Sequence, residues 1–329
     1  LNMSLVGHVG SEDLQAATRM AAAENVAALL PAAPLQVELA ANGNMDYLQL
    51  TACNAQLEGI CSLKASGDVR YLVSDTTAAK GEPLQADVDY RLAFQNMKPL
   101  LARLGIADST LRIPKGTTIG GVARINGETY RATARVKSLK GKVDVDATTN
   151  ISTEYYNLSF LADVFPLAEF LPSLDASAFS GVLTAEGRKY NPIVPRAVAD
   201  LRAQVDSLRF AGIDLNNLTV AANIAQQHLD ACFAAENTAL LGEGTLRGNF
   251  IEGFHFKLES LLERCSLQQL AGAKADVAVG SLVNISFESD ADFNTLETQG
   301  SLCYNHFDSP ERSVMMKDIH FDFATSLDT

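Results

Sequence analysis

The sequence predicts a mainly β protein, a long antiparallel meander with two or three short helices. Three observations carry this. Apolar residues recur with a period of two through most of the chain. The stretches are joined by short, hairpin-like connections, so consecutive strands pair antiparallel. No helical segment separates most of them, which argues against parallel crossover units. With 329 residues, 47% of them apolar, the chain is long enough for a sizeable core and is not of disordered composition.

Taken in order, a helix is predicted over 11–30. Ser11 caps it, Glu12 and Asp13 sit in the first turn where the helix dipole favours them, and Pro31 stops it. Its apolar residues share no single stripe, so it expects neighbours on several sides. From Leu35 the period becomes two: Leu35, Val37, Leu39 and Ala41 alternate with Gln36, Glu38 and Ala40, up to a turn at Asn42–Asn44. In "CSLKASGDVRYLV" the apolar face carries Leu63, Ala65, Val69 and Tyr71, with Gly67 among them. In "LQADVDYRLAF" it carries Leu84, Ala86, Val88, Tyr90 and Leu92. A short helix is expected over 94–105, beginning or kinking at Pro99 and ending at Gly105. Strands resume in "YRATARV", which places Ala134 and Val136 on its apolar face, and in "LKGKVDVDA" and "YYNLSF". A helical turn interrupts at "LADVFPLAEFLP". Alternation then returns and includes "DLRAQVDSLRFAG", with Leu201, Ala203 and Val205 on one side. One more apolar helix or turn is expected in "LLERCSLQQLAG". The count comes to roughly 16 to 18 strands. "CSLKASG" and "GVLTAEG" share small-x-Leu-x-Ala-x-Gly, a degenerate repeat without a fixed period.

Charge narrows the partners. The net charge is −13 and the basic residues are scattered, which argues against nucleic acid or an anionic membrane surface as the main partner. The five cysteines form no Cys-x-x-Cys pair, and their odd number and irregular spacing suggest neither a disulfide framework nor a zinc site. No signal peptide is visible, and no run of about 18 apolar residues could span a membrane. The chain starts at Leu1 and stops after "FATSLDT", as expected of an internal piece of a longer protein.

Motifs for chemistry are weak. "DADFN" (290–294) imitates the start of a calcium loop, but Thr295 and Ser301 stand where Gly and Glu are needed. The pairs Asp87/Asp89 and Asp144/Asp146 fall on wet strand faces, without an apolar pocket to tune them. Gly242, Gly244 and Gly248 have the wrong spacing for a dinucleotide loop, and no βαβ unit surrounds them. The five histidines form no metal pair, and no nucleophile elbow or P-loop occurs. No catalytic residue, cofactor or metal is expected, and the chain reads as a non-enzyme.

An open sheet of this many strands must curl or split, because twisted sheets rarely exceed about 10 strands otherwise. It either folds into a sandwich or curves into a groove, and periodicity is the same for both. Residue size favours the groove: Ala65, Gly67, Ala86, Ala134, Ala203 and Ala222 leave space that a dry sandwich would fill. Such a groove suits lipid, since each sheltered CH₂ gains about 0.8 kcal/mol while a headgroup stays in water.

The strand phrases "LQVELAANGNMDYLQL", "CSLKASGDVRY", "FSGVLTAEG", "ADLRAQVDSLRFAGIDLNNLTV", "AAENTALLGEGTLRG" and "VMMKDIHFDFATSLDT" resemble the TamB family (translocation and assembly module) of diderm bacteria, within the AsmA-like superfamily. The likeness runs along nearly the whole chain, on soft strand phrases and no catalytic motif. It implies a taco-shaped β-groove lined with apolar side chains, in the periplasm, in a parent chain anchored in the inner membrane. It also implies a bridge-like role in carrying phospholipid between inner and outer membranes, with acyl chains in the groove. The alternatives are a chaperone-like scaffold for outer-membrane protein assembly, through a partner met outside this segment, and a purely structural sandwich or solenoid spacer. The resemblance thus implies one elongated, repetitive β-groove segment over 1–329. The inserted helices depart from a pure meander, and the membrane anchor is missing from this segment.

Overall fold

Period-two alternation becomes an antiparallel ladder here because each strand's neighbour in sequence is usually its neighbour in space. The structure, a computed structural model, describes residues 3–20, 31–44, 46–70, 83–274, 276–292 and 294–326. Nineteen strands belong to one long antiparallel meander sheet that is not closed into a barrel, and two further short strands pair separately. By internal contacts the chain divides into two compact units, Leu1–Ser152 with Phe160–Asp175, and Thr153–Ser159 with Ala176–Thr329.

The first unit holds β1 (Met3–Ser11), α1 (Leu14–Met20), β2 (Leu35–Gly43), β3 (Tyr47–Leu57), β4 (Cys61–Arg70), β5 (Gln85–Phe94), α2 (Lys98–Arg103), β6 (Thr118–Asn126), β7 (Thr129–Lys137) and β8 (Lys142–Asn150). These strands pair in sequence order from β1 to β8. The strand β9 (Tyr155–Pro166) divides between the units, and α3 (Leu167–Phe170) follows it. β1 is a strand the sequence did not announce: Gly7 and Gly10 blur its pattern, and pairing with β2 supplies what its own propensity lacks. Within the predicted 11–30 helix, α1 covers Leu14–Met20 and residues 21–30 lie outside those described. Within the predicted 94–105 helix, α2 has Pro99 in its first turn, where a missing N–H costs nothing.

The second unit holds β10 (Ala178–Arg188), β11 (Val198–Ser207), β12 (Arg209–Phe210), β13 (Ile213–Asp214), β14 (Leu218–Ala225), β15 (His228–Glu236), β16 (Leu240–Asn249), β17 (His255–Ser266), α4 (Leu267–Ala271), β18 (Ala278–Glu288), β19 (Thr295–Asp308), β20 (Ser313–Met315) and β21 (Ile319–Ser326). The ladder runs β10–β11–β14–β15–β16–β17–β18–β19, with β20 and β21 both on β19. The small ribbon β12–β13 stands aside. In "LLERCSLQQLAG" the strand β17 continues to Ser266, and only Leu267–Ala271 is helical. The Ser266 hydroxyl accepts from the Gln269 N–H at 3.3 Å, and Gly272 closes the helix in the left-handed region.

Bulges interrupt the ladder without breaking it. On β3 the extra residue falls at Thr51–Ala52, opposite Ser66. On β19 the bulge at Tyr304–Asn305 buries Asn305, whose Oδ1 accepts from the Ser281 hydroxyl at 2.7 Å. Its Nδ2 donates to the Leu302 and Lys317 carbonyls, so the kink leaves that side chain satisfied.

Candidate functional site

Register decides which side chains share a face, because directly paired residues of neighbouring strands point the same way. In the first unit one row reads Val9, Val37, Ala55, Leu63, Leu92, Ile119, Val136 and Val143 across β1 to β8. Beside it, another reads Gly7, Leu39, Cys53, Ala65, Tyr90, Gly121, Ala134 and Val145. A third passes through Leu50, Gly67, Val88, Ala123 and Ala132, and a fourth through Leu48, Val69, Ala86, Ile125 and Tyr130. Leu63, Ala65, Val69, Ala86, Val88, Tyr90, Leu92, Ala134 and Val136 therefore lie on one continuous apolar face. Leu84 precedes β5 and is exposed, with its carbonyl accepting from the Gly127 N–H at 2.8 Å. Tyr71 lies outside the described residues.

The second unit repeats the arrangement. Leu183, Ala203, Val220, Phe233, Gly244, Ser260, Val283 and Leu302 form one row, and Ala185, Leu201, Ala222, Ala231, Leu246, Leu258 and Ile285 the next. Val205 pairs with Gly181 and Leu218 one row over. The candidates Leu201, Ala203 and Val205 thus share a face within this unit. The matched phrases "CSLKASG" and "GVLTAEG" put Leu63/Ala65/Gly67 and Leu183/Ala185/Gly187 on the apolar faces of their units.

These faces are sheltered but not sealed by the described residues. Every described candidate in the rows is half-buried except Leu201, which is 37% exposed. Only thirteen apolar residues among those described are buried, in a chain that is 47% apolar. A dry sandwich would have buried most of the rows. Small residues draw the strands together: a Cβ on Gly67 would stand 2.1 Å from the Asp87 carbonyl oxygen, and one on Gly121 only 1.8 Å from that of Thr133. Glycine therefore permits a strand approach that any side chain would block. The Tyr90 hydroxyl donates to the Thr133 carbonyl at 3.1 Å, so the largest side chain of its row has its polar tip satisfied.

One edge of the first unit's face is closed. Ile60, Phe94, Met97 and Leu101 form a buried cluster against Leu92 and Ile119, the members of the first row nearest α2. Elsewhere the opposite face of the sheet is polar and laced with cross-strand pairs. Arg124 meets Asp87 at 2.9 Å, Arg131 meets Asp146 at 2.7 Å, and Arg135 bonds Asp144. Three of the four carboxylates in the pairs singled out in sequence, Asp87, Asp144 and Asp146, are thus partners of arginines on a wet face, where such bridges are worth little. Asp290, in the calcium-like stretch, instead accepts the Asn294 N–H at 2.7 Å within a turn. Among the described residues no three His, Cys, Asp or Glu side chains gather as a metal site, and all five cysteines are free.

Two features escaped sequence reading. On the polar side of the second unit a cavity of 810 Å³ has an apolar floor of Val182, Ala221, Cys232, Ala234, Leu261 and Leu282. Strands β14 to β18 carry small or apolar residues on both faces here, and a twisted sheet dips on each side. In the first unit a cavity of 520 Å³ gathers Lys98, Arg112 and Lys115 from positions too scattered to form a basic run. In comparisons with protein-family models, curated proteins and solved structures, nothing matches this chain.

Proposed function

We propose that the apolar faces of this protein shelter the acyl chains of phospholipid. In this reading the chain is part of a bridge through the periplasm that conducts lipid between inner and outer membranes, its parent chain anchored in the inner membrane. One observation carries the reading: register-aligned apolar rows cross the strands of each unit and remain half-exposed. Rows of aliphatic residues, with Ala and Gly among them, offer an apolar track without the convergent polar groups that fix one ligand in place. At about 0.8 kcal/mol per sheltered CH₂, contact with a few methylenes at a time holds a chain without trapping it. No catalytic step is invoked.

A second reading, a scaffold for assembling outer-membrane strands, is favoured by one observation. β1 pairs only with β2 among the described strands, and its Leu5, Val6 and Val9 are 56%, 71% and 66% exposed. Such an edge can accept a further strand. Two measurements separate the readings. Protein purified without detergent is extracted and its lipids identified by mass spectrometry; delipidated protein is then titrated with a fluorescent phospholipid. The lipid reading expects co-purified phospholipid and saturable binding. Absence of both, with retained capture of a β-strand peptide at β1, favours the scaffold.

A further inference from the structure

The chain carries 39 acidic and 26 basic residues, so a place where cations outnumber acids calls for an explanation. The 520 Å³ cavity beside α2 is such a place. Lys98, Arg112 and Lys115 line it against one carboxylate, Asp108. Arg112 bonds Asp108 at 2.7 Å and holds its carboxyl below the usual carboxylate range, with Lys98 adding to the effect. Neither Lys98 nor Lys115 has a described carboxylate within 4.0 Å. The frame around them is tied down. The Arg112 N–H donates to the Phe170 carbonyl at 2.8 Å and the Gly116 N–H to that of Phe94 at 2.9 Å. Thr117, 1% exposed, donates its hydroxyl to the Pro114 carbonyl at 2.7 Å. Asn96 accepts the Lys98 N–H through its Oδ1, which leaves its NH₂ as a donor at the cavity wall.

The apolar wall of the cavity is Leu101 and Ile113, and both belong to the cluster packed on Leu92 and Ile119 at the end of the apolar face. This cluster therefore adjoins the cationic cavity on one side and the end of the apolar rows on the other. We propose that this cavity is a phosphate-binding site, held by Lys98, Lys115 and Arg112, that takes the headgroup phosphate of a lipid whose chains lie on the apolar rows. The lipid assignment rests on the proposed function, whereas the phosphate chemistry stands on the cavity alone. Charge-assisted contacts to phosphate favour two free lysines over a fully paired surface.

The test titrates the 329-residue protein by calorimetry with short-chain phosphatidic acid, with diacylglycerol of the same chains, and with glycerol phosphate. Each is repeated on K98E/K115E and on K98Q/K115Q, both at exposed positions, with circular dichroism to check folding. The expected result is that phosphatidic acid binds more tightly than diacylglycerol and loses about tenfold in affinity in K98E/K115E. Diacylglycerol binding stays unchanged, and the glutamine pair falls between. Equal affinity for the two lipids, or a folded K98E/K115E that binds phosphatidic acid as well as the parent, overturns the site and leaves the apolar-face reading standing. Binding of glycerol phosphate that the charge reversal abolishes, with neither lipid bound more tightly, supports the site as one for free phosphate and counts against the lipid reading. No binding of any phosphate-bearing probe overturns the proposal.

Discussion

Val88 sits at the middle of the apolar face, paired with Gly67 on one side and Ala123 on the other, and is half-buried. Replacing it by Asp separates an open face from a sealed one. On an open face the carboxylate reaches water, and the loss is chiefly that of a half-sheltered valine, about 1 kcal/mol out of the roughly 1.5–3 for full burial. In a sealed core an unpaired carboxylate would cost about 3–5 kcal/mol. Lipid binding responds in the opposite proportion. A charge at Val88 keeps about three methylenes from the surface, which at about 0.8 kcal/mol each removes some 2.4 kcal/mol, or roughly 60-fold in affinity. Urea denaturation gives the first quantity and titration with a fluorescent phospholipid the second. V88D that unfolds or loses more than about 4 kcal/mol refutes the open face. V88D that keeps full lipid affinity refutes the use of that face.

Three further outcomes are expected. Gly7 and Gly121 share a row, but a Cβ meets nothing within 4 Å at Gly7 and the Thr133 carbonyl at 1.8 Å at Gly121; G121A should therefore lose about 1–3 kcal/mol in urea while G7A changes little. The β14–β15 hairpin turns through Gln226 and Gln227 at φ 52° and 65°, so Q227G should raise the melting temperature by relieving a left-handed residue, whereas Q227V should lower it. Asp214 accepts the Asn216 N–H and the Thr238 hydroxyl, which hold its pKa low; its folded pKa lies below the unfolded one, so its stabilisation is present above about pH 4 and is lost as pH falls through the folded value. Urea midpoints compared between pH 6 and pH 3 should show a smaller drop for D214N than for the parent, and equal drops would contradict this assignment.

Alternation made the strands and their apolar faces legible because the pleat has a period of two regardless of context. For that reason Leu63, Ala65, Val88, Tyr90 and Ala134 could be grouped on one strand face of the first unit, and Leu201, Ala203 and Val205 on one of the second. Register was not legible. The alignment of Leu63 with Leu92, Ile119 and Val136 depends on turn lengths and on the bulge at Thr51–Ala52, whose residues look ordinary in sequence. β1 was missed because its two glycines dilute the signal, and its edge position comes from pairing rather than propensity. Gly67 could be read as a small residue, but its reason lies in the Asp87 carbonyl of the next strand. The cation cavity was invisible because Lys98, Arg112 and Lys115 converge only once α2 and the loop fold over the end of β5. The 810 Å³ cavity on the second unit's polar side was missed because alternation was read as assigning one face to lipid and one to water.

The most direct test of the central claim is photocrosslinking in the producing cells, with a benzoylphenylalanine at Tyr90 on the apolar face and, separately, at Arg91 on the opposite face. Mass spectrometry of the purified products identifies what each captures. A phospholipid adduct is expected at position 90 and none at position 91. Adducts of equal yield at both positions, or only protein captured at position 90, would contradict the claim.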